Sequence, residues 1–593
     1  MGLLVAAGDR TMDYTIKIGG EAGQGIQTIG DTLGHVFARS GYHVFTHQDY
    51  ESRIRGGHNF YQIRLSDMPL AAPRDRIDII VALDQESIVR HEGELMEHGR
   101  ILYDSTSLKQ KHEGPLFLDI PFEKLAVDHG GSKIMANIVS TGAVLGMVGM
   151  ELKHLFDLLE ETFRKKGDQV VQANKDAAIA GYDFAAKNCT HCAFSVSPKE
   201  EKRRMLIGGV EAIALGVLAS GCKFYAAYPM TPSTGIMNYL AGKEKEYGVV
   251  VEQAEDEIAA INMALGASFA GVRAMTGTSG GGFSLMVEGL SLSGMTEAPV
   301  VIAMGQRPGP ATGFPTRTEQ GELQFLMSAG HGEFPRVIFA PGTPREAFYL
   351  TNKAFDLAER YQMPVFILFD TYLADTQWTF DGFDMSRIQY RDHRLRGDSF
   401  NKLSSYKRYA YTETGITPLG VPGEARHLVV TDSDEHDEEG HIVEDALTRV
   451  NMVGKRLLKK LPLIKREMAP PFLYGGHDPR VVLTGWGSTY GVMKEAVDIL
   501  AKSTSIAMLH FSEVFPLPQR ERFDYVTLLR QAELSLCVEN NATGQFSRLM
   551  HCETGFEFSG HIHKYDGRPF TVEGLIEELN AKCKMQSANC KMR

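Results

Sequence analysis

The chain of 593 residues has few cysteines and no pattern of metal-binding thiols. Its seven cysteines are scattered, apart from Cys189 and Cys192, and an odd number suits a reducing compartment better than a disulfide framework. A zinc or iron–sulfur site would need further thiolates or histidines at short spacing. We therefore expect structural or inert thiols, with a metal site at the Cys-x-x-Cys pair as the alternative, and no metal on this chain.

Basic excess and long apolar runs are also missing. The formal net charge is -12, whereas a broad nucleic-acid footprint needs a basic face. No run of about 18 apolar residues occurs, and the apolar start at residues 1–8 is interrupted by Asp9 and Arg10. We expect a cytoplasmic protein that binds neither nucleic acid nor a membrane.

The first glycine-rich loop lacks the two common nucleotide-binding motifs. An apolar strand at residues 14–18 leads to glycines at positions 19, 20, 23 and 25 and then to a helical pattern that ends near residue 38. This order is neither G-x-G-x-x-G nor G-x-x-x-x-G-K-[ST], so an NAD or P-loop site is not indicated. The strand, glycine loop and helix are still typical of the start of a doubly wound α/β unit.

Alternating strand and helix patterns predict a multidomain α/β protein with doubly wound, mostly parallel sheets. The patterning gives an α/β domain at residues 1–194, a polar linker at 195–204, a second α/β domain at 205–384, an extended connecting segment at 385–477, and a small α/β domain with a frayed basic tail at 478–593. The acidic run 432–439 in the connecting segment predicts a solvated loop. His436, within that run, would be a metal ligand only with partners that the sequence does not identify.

The most informative segment is the heptapeptide Tyr228-Pro229-Met230-Thr231-Pro232-Ser233-Thr234, which follows a predicted strand at residues 223–228. Thr231 before Pro232 predicts a helix N-cap with proline at the first helical position. A strand that runs into a capped helix places free N–H groups at the carboxyl edge of the sheet, where phosphates and carboxylates are favoured. An ordinary helix cap is the alternative for this segment alone.

Three further groups of residues follow the heptapeptide. Glu252, Glu255, Asp256 and Glu257 could form a functional cluster or simply complement the dipole of a helix in its first turn. The triplet Gly280-Gly281-Gly282 would allow close approach of the backbone to a ligand, or form a plain turn. Arg307, in a Pro-Gly loop, is by itself typical of a surface residue.

In this order, the motifs resemble the α subunit of 2-oxoacid:ferredoxin oxidoreductases. The matching segments are Tyr-Pro-Met-Thr-Pro-Ser-Thr, Glu-Asp-Glu-Ile-Ala-Ala, Thr-Ser-Gly-Gly-Gly-Phe-Ser-Leu-Met, Gln-Arg-Pro-Gly-Pro-Ala-Thr-Gly and Pro-Thr-Arg-Thr-Glu-Gln. The chain looks in particular like the 2-oxoglutarate synthase type, with a γ domain fused ahead of α. The resemblance implies a γ-like domain associated with coenzyme A, a pyrimidine-type thiamine diphosphate domain and a transketolase-C-like domain.

This resemblance implies oxidative decarboxylation of 2-oxoglutarate to succinyl-CoA, a reversible reaction of the tricarboxylic acid cycle that uses thiamine diphosphate and coenzyme A and passes electrons to ferredoxin. The chain has no Gly-Asp-Gly anchor and no cluster cysteines. The resemblance therefore assigns Mg²⁺ and the [4Fe-4S] cluster to a β subunit, which shares the thiamine diphosphate in an αβ or (αβ)₂ assembly. Pyruvate or branched-chain 2-oxoacids are alternative substrates, and a non-catalytic scaffold or regulatory subunit is the alternative of another class.

Residue roles are carried over by the same resemblance. Glu257 corresponds to the carboxylate that binds N1′ of the aminopyrimidine, a charge-assisted bond. Arg307 corresponds to the arginine that pairs with the substrate carboxylate alongside the Thr231 hydroxyl, and Arg317 is a weaker candidate for a second anion. The remaining residues expected at the cofactor are Tyr228, Pro229, Gly280, Gly281 and Gly282.

The amino-terminal domain contains a second candidate site. Gly23, Gln24 and Gly25, together with Ser52-Arg53-Ile54-Arg55-Gly56-Gly57, resemble the γ region associated with coenzyme A. Arginines beside glycines suit a phosphate group, because backbone amides and fixed charge converge there. A subunit interface is the alternative for this segment. The motif at residues 539–545 also fits the family pattern, and we assign it no catalytic role.

Overall fold

A computed structural model describes residues 12–52, 56–189, 192, 194–196, 199 and 204–590, without the side chains of 585–590. The chain forms two compact units. Unit 1 comprises the described residues up to Ile207 with Thr376–Gly382 and Thr571–Glu573, and unit 2 comprises Gly208–Asp375, Phe383–Phe570 and the described residues from Gly574 onward. A mixed α/β architecture with largely parallel sheets confirms the predicted fold class.

Unit 1 is built on one eight-stranded sheet. Its strands are, in spatial order, Phe117–Asp119, Leu95–Tyr103, Ile77–Ala82, Asp13–Ala22, Gly56–Ser66, His43–Asp49, Gln377–Phe380 and Met205–Gly208. The first four run parallel, as expected from their βα alternation, whereas Gly56–Ser66 pairs antiparallel with both of its neighbours. The sheet is therefore mixed rather than wholly parallel.

Helices cover the sheet of unit 1. They are Ile26–Arg39, Gln85–His91, Ser105–Leu108, Phe122–Gly130, Ala136–Val148, Lys153–Phe163 and Asp168–Asn188, with single 3₁₀ turns at Glu92–Glu94, Lys133–Met135 and Arg164–Lys166. Gly142 and Gly181 allow two of them to touch backbone to backbone, because a Cβ at either position would overlap a carbonyl of the facing helix. Among the described residues no single helix is long and apolar enough to cross a membrane. In the same part of the chain, only Phe122–Gly130 and Lys133–Val148 taken together have the length and apolar composition of a membrane span, and this pair is bent by 118°.

The first sheet of unit 2 has seven strands. In spatial order they are Glu513–Phe515, Val337–Phe339, Pro364–Asp370, Val300–Gln306, Ala274–Ser279, Phe224–Ala227 and Val250–Gln253. All neighbours are parallel except Glu513–Phe515 and Val337–Phe339. The flanking helices are Gly209–Ala219, Thr234–Ala241, Glu244–Tyr247, Glu257–Phe269, Gly280–Thr296, Leu323–Ser328, Pro344–Tyr361 and Thr371–Asp375. Every residue of Val300–Gln306 is buried, as is typical of a parallel strand covered on both faces.

The carboxyl-terminal part of unit 2 contains a five-stranded sheet. Its strands are Phe472–Gly475, Ile506–Phe511, Val481–Trp486, Leu534–Glu539 and Gly560–His563, and its helices are Tyr490–Leu500, Tyr525–Gln531, Gln545–Thr554 and Val572–Cys590. The prediction of a frayed tail is wrong, because residues from 572 to 590 form a helix. Leu575 and Leu579, four residues apart on one face, are buried and anchor it.

The connecting segment contains short elements. They are the strand pair Arg394–Leu395 and Leu419–Gly420, a 3₁₀ turn at Met385–Arg387, the helices Gly397–Asn401, Ala446–Val453 and Lys460–Glu467, and a π-helical turn at Gly454–Lys459. Buried Glu297 holds the connecting segment in place, because Lys455 and Lys460 of that segment each donate a hydrogen bond to the Glu297 carboxylate at 2.5 Å. Burial opposes ionisation of Glu297, but the two ammonium groups outweigh it and hold the pKa of Glu297 below its ordinary value.

The structure corrects two expectations, namely a solvated loop around His436 and free thiols at Cys189 and Cys192. His436 does not lie in a solvated loop, because its ring is fully buried and packs on the Tyr409 ring with centroids 4.0 Å apart. Cys189 and Cys192 are not free thiols, since they form a disulfide with their Cα atoms 5.5 Å apart. Within the described ranges, no three His, Cys, Asp or Glu side chains are grouped as metal ligands would be.

Candidate active site

The candidate site lies at the carboxyl edge of the seven-stranded sheet. The adjacent parallel strands Phe224–Ala227, Ala274–Ser279 and Val300–Gln306 all end at this edge. The heptapeptide, the glycine triplet and Arg307 follow these three strands directly. Because ligands of open α/β sheets bind beyond the carboxyl ends of the strands, motifs that are far apart in sequence meet where a ligand is expected.

Thr231 is not the helix N-cap that the sequence predicted. The helix begins at Thr234 with Ser233 as its N-cap residue, because a turn comes first in which the Met230 carbonyl accepts bonds from the Ser233 and Thr234 amides at 2.9 and 3.2 Å. Half-buried Thr231 lies in this turn, and its carbonyl accepts a hydrogen bond from Arg307 Nη1 at 3.0 Å. The structure thus brings Thr231 and Arg307 together through the Thr231 backbone. Tyr228 is 41% exposed and Pro229 is half-buried on the preceding loop.

Glu257 lies buried at the start of the helix Glu257–Phe269. Asp256 caps the helix Glu257–Phe269 by accepting a bond from the Ala259 amide at 2.8 Å, so the capping interpretation of the acidic run holds for Asp256. Glu257 is different, because it is only 4% exposed and its Oε1 atom has no partner among the described residues. Burial raises the pKa of Glu257, and the charge of Asp256 adds to this effect. A buried carboxylate oxygen without a donor points to a ligand that supplies one.

The glycine triplet forms the first turn of the helix Gly280–Thr296 rather than a separate loop. A Cβ on Gly282 would overlap the Glu257 carboxylate and the Thr278 hydroxyl, and a Cβ on Gly280 would overlap the Glu322 carboxylate. A Cβ on Gly281 would meet no described atom within 4 Å. The start of the helix is therefore enclosed by two carboxylates and open at Gly281.

Arg307 is half-buried, and burial lowers the pKa of Arg307. In the part of the chain that the structure describes, no carboxylate lies within ion-pair distance of its guanidinium, which donates instead to the Thr231 carbonyl. A half-buried cation without a counter-ion suits an anionic ligand. Arg317, the weaker candidate, packs near Gly567, where a Cβ would lie 3.1 Å from Arg317 Cβ.

Part of the predicted coenzyme region of unit 1 lies at a cavity of about 550 Å³ at the start of the helix Ile26–Arg39. Gly23 and Gly25 line it with φ of 95° and 81°, values that favour glycine. The Gln24 side chain fixes this loop, since it accepts a bond from the Glu21 amide at 2.7 Å and donates to the Leu83 carbonyl at 3.3 Å.

The rest of the predicted coenzyme segment is less informative. Ser52 is exposed, and Gly56 has a φ of 73° with open space where a Cβ would lie. Arg53 and Arg55 lie outside the described residues. Their proposed contacts stay predictions.

Sequence reasoning missed Thr278 and Glu322, which touch the glycine triplet. Thr278 lies two residues before Gly280, so proximity to the triplet could have indicated it. Glu322 follows a loop of fifteen residues after Gln306, and only its fold-dependent contact with Gly280 identifies it.

Comparison with known proteins agrees with this geometry. Residues 215–455 match the family model described as "Pyruvate flavodoxin/ferredoxin oxidoreductase, thiamine diP-bdg", and residues 15–184 match "Pyruvate ferredoxin/flavodoxin oxidoreductase". The 2-oxoacid:ferredoxin oxidoreductase subunit alpha of Sulfolobus sp is 32% identical over an alignment that covers 95% of this chain and 96% of that protein. The 2-oxoglutarate oxidoreductase subunit KorA of Mycobacterium tuberculosis is 28% identical, with 86% and 83% covered.

A solved structure is similar over nearly the whole chain. It is 2-oxoglutarate:ferredoxin oxidoreductase from Magnetococcus marinus with 2-oxoglutarate, coenzyme A and succinyl-CoA bound, at a TM-score of 0.88 and 30% identity, covering 96% of this chain and 99% of that one. These matches extend over both units and include the segment with Glu257 and Arg307. The chain belongs to the α subunits of the 2-oxoacid:ferredoxin oxidoreductases, with a thiamine diphosphate-binding domain.

Proposed function

We propose that this chain is the α subunit of a 2-oxoglutarate synthase, which together with a β subunit converts 2-oxoglutarate and coenzyme A to succinyl-CoA and passes electrons to ferredoxin. The observation that carries the proposal is the buried Glu257 carboxylate at the carboxyl edge of the thiamine diphosphate-binding domain, whose Oε1 atom has no hydrogen-bond partner among the described residues. The choice of 2-oxoglutarate is supported by the ligands of the Magnetococcus marinus enzyme and by the name of the Mycobacterium tuberculosis relative.

The residues at this edge fit the pyrimidine end of thiamine diphosphate. Glu257 Oε1 lacks a donor among the described residues, and the protonated N1′ of an aminopyrimidine supplies one. The raised pKa of Glu257 suits a carboxyl group that shares a proton with a ring nitrogen. When bound, the cofactor supplies the carbon nucleophile and the electron sink for decarboxylation. Tyr228, Pro229 and the open face at Gly281 would surround its ring.

Arg307 is placed to bind the carboxylate of a 2-oxoacid. Its Nη1 donates to the Thr231 carbonyl at 3.0 Å, which fixes the plane of the guanidinium. The Nε and Nη2 groups then remain for a bidentate contact, which orients the keto carbon as well as binding it. We assign the Thr231 hydroxyl to the same carboxylate.

The metal ion, the iron–sulfur cluster and coenzyme A are assigned to sites away from Glu257 and Arg307. Mg²⁺ and the [4Fe-4S] cluster would sit on the β subunit in an αβ or (αβ)₂ assembly located in the cytoplasm. Coenzyme A would bind at the cavity of unit 1, where Gly25 starts a helix and offers no side chain to cap the first amides. The boundaries 1–194, 195–204, 205–384, 385–477 and 478–593 remain our proposed domain division.

A matched pair of variants tests the central assignment. Glu257→Gln should leave the fold intact and reduce turnover of the reconstituted complex by about 10²- to 10⁴-fold, the usual contribution of a positioned proton-transfer group. Glu255→Gln is the control, because Glu255 belongs to the same acidic run but is exposed. Wild-type turnover in Glu257→Gln would favour the scaffold alternative. Turnover is measured as dye reduction dependent on 2-oxoglutarate and coenzyme A.

A further inference from the structure

Gln320 is a buried polar side chain in the loop that follows Arg307. Its amide is bonded at both ends, because Oε1 accepts a hydrogen bond from the Asn540 amide at 2.9 Å and Nε2 donates to the Trp486 carbonyl at 2.8 Å. The main-chain amide of Gln320 also donates to the Asn540 carbonyl at 2.6 Å. Such a side chain is held in one position, since any shift would leave buried polar groups unpaired.

The motif at residues 539–545 holds this part of the chain at two further points. Gln545 Nε2 donates to the Gly321 carbonyl at 2.6 Å, and Gln545 Oε1 accepts a hydrogen bond from the Gln324 amide at 2.9 Å. Both contacts are to main-chain groups, so they fix the path of the backbone rather than the position of a side chain. We call residues 539–545 the loop socket.

Glu539 fixes the loop socket from within. Its fully buried carboxylate accepts hydrogen bonds from the Asn541 side chain at 2.9 Å and from the Phe546 amide at 2.8 Å. The Phe546 amide belongs to the first turn of the helix Gln545–Thr554, where a carboxylate also complements the helix dipole. Asn541 Nδ2 in turn donates to the Gln320 carbonyl at 3.2 Å. The network that holds the start of this helix therefore also holds Gln320.

The second half of the loop contacts the chain on both sides of Arg307. The Glu322 amide donates to the Gln306 side chain at 3.1 Å, directly before Arg307. The Phe314 amide donates to the Pro308 carbonyl at 3.0 Å, directly after Arg307. A movement of the second half of the loop would therefore be transmitted to both neighbours of Arg307.

Polar contacts rather than an apolar core hold this loop. Residues 309–314 are exposed at its tip, and residues 315–317 are half-buried. Thr318 and Gln320 are the buried residues between this tip and Leu323, where the next helix begins, and both are polar. A segment with few buried apolar contacts opens at a low cost in free energy. Loss of the contacts of Gln320 should therefore free the loop while the rest of the fold is kept.

We propose that Gln320 and the loop socket are positioning elements of the active site, which hold the loop that begins at Arg307 and thereby hold the guanidinium where it binds the carboxylate of the 2-oxoacid. This inference rests on the proposed function and assigns a role to a motif that takes no part in the chemistry. Arg307 contacts the substrate, whereas Gln320 acts through Arg307. Loss of the positioning contacts should therefore weaken substrate binding more than it slows turnover of the bound substrate.

The effects of Gln320→Ala on KM and kcat in the reconstituted complex test the proposal. The substitution should raise KM for the 2-oxoacid by about 10-fold and leave kcat within about 3-fold, because it loosens a group that binds the substrate. Gln545→Met removes the contacts to Gly321 and Gln324 from a half-buried position and should change KM in the same direction. Thr543→Ala is the matched control, since Thr543 belongs to the loop socket but is exposed, and it should leave both constants unchanged.

A double variant shows whether the effect passes through Arg307. Arg307→Ala leaves no guanidinium to position, so adding Gln320→Ala should change KM by less than about 3-fold. A merely structural role for Gln320 would give the same factor in either background. Fully additive effects on KM would therefore overturn the proposal.

Hydrogen exchange of the complex supplies a readout without turnover. Gln320→Ala should speed exchange of the amides in residues 309–322, while the strand Val300–Gln306 stays protected and Thr543→Ala has no effect. Unchanged exchange in the loop, or an unchanged KM in a folded Gln320→Ala complex, would overturn the proposal. If Gln320→Ala does not fold, a normal KM in Gln545→Met would overturn it instead.

Failure of this inference is distinguishable from failure of the proposed function. A wild-type complex that turns over 2-oxoacids while the Gln320 and Gln545 variants keep a normal KM would overturn the positioning role alone. A wild-type complex loaded with cofactor that turns over no 2-oxoacid would overturn the proposed function, and the inference would fall with it.

Discussion

A single methyl group at Gly282 should disable the site without unfolding the protein. A Cβ there would lie 2.7 Å from Glu257 Cδ and would overlap the Thr278 hydroxyl, whereas non-bonded carbons prefer about 3.5–4.0 Å. The Glu257 carboxylate must therefore move by about 1 Å, and a displacement of that size costs about 100-fold in rate at a positioned group. The gain of about 1 kcal/mol from replacing a helical glycine by alanine should be offset by about 1–3 kcal/mol of overpacking.

Gly281→Ala is the matched control for stability, because its Cβ would meet no described atom within 4 Å in the same helical turn. It should raise the free energy of unfolding by about 0.5–1 kcal/mol, while Gly282→Ala should lower it or leave it unchanged. Urea denaturation measures both, and dye reduction by the reconstituted complex measures turnover. Equal stabilisation by the two substitutions, or normal turnover in Gly282→Ala, would refute the packing of Glu257 against Gly282.

Three further predictions concern charged groups. Glu297→Gln should lower the free energy of unfolding by about 3–5 kcal/mol, because it leaves two buried lysines without a negative partner. Lys455→Met leaves Glu297 paired with one lysine and should lower the free energy of unfolding far less; equal losses in urea denaturation would contradict this. Burial raises the pKa of Asp370 to about 6, so the stability that this group contributes is present below pH 3.8, and about 3 kcal/mol of it is lost as pH rises through 6. Asp370→Asn should abolish this loss when the urea midpoint is measured against pH, and an unchanged pH profile in the variant would contradict the prediction. Arg307→Ala should chiefly raise KM for the 2-oxoacid, by about 10- to 100-fold, and Arg307→Lys should give an intermediate KM because it keeps the charge but not the bidentate geometry. A fall in kcat at constant KM would contradict a role in substrate binding.

The amino-acid pattern predicts the elements that position the site. Phe224–Ala227 and Val300–Gln306 are recognisable because buried parallel strands are continuous apolar runs. The helix at Glu257–Phe269 is recognisable from its acidic start and apolar run. Since parallel strands end at one edge, this pattern also places the motifs that follow them close together, and Thr231 and Arg307 do lie in contact.

Local sequence patterns do not predict which strands pair when they are far apart in the sequence. Gln377–Phe380 pairs antiparallel with His43–Asp49, more than three hundred residues away, and nothing in its own sequence indicates that partner. The first turn of the helix after the heptapeptide is also misplaced by sequence reasoning, because the hydrogen bonds to the Met230 carbonyl compete with a cap at Thr231. Glu322 escapes detection for the same reason as the strand pairing, since its contact with Gly280 depends on the fold rather than on a motif.

The most direct test of the proposed function is anaerobic reduction of a viologen dye by the purified chain, with and without its β subunit, across a panel of 2-oxoacids. The proposal predicts activity only when both chains, thiamine diphosphate and coenzyme A are present, with the highest kcat/KM for 2-oxoglutarate. Preference for pyruvate, the acid in the names of the matching family models, would keep the reaction type and overturn the substrate. No activity from a complete, cofactor-loaded complex would contradict the proposed function itself.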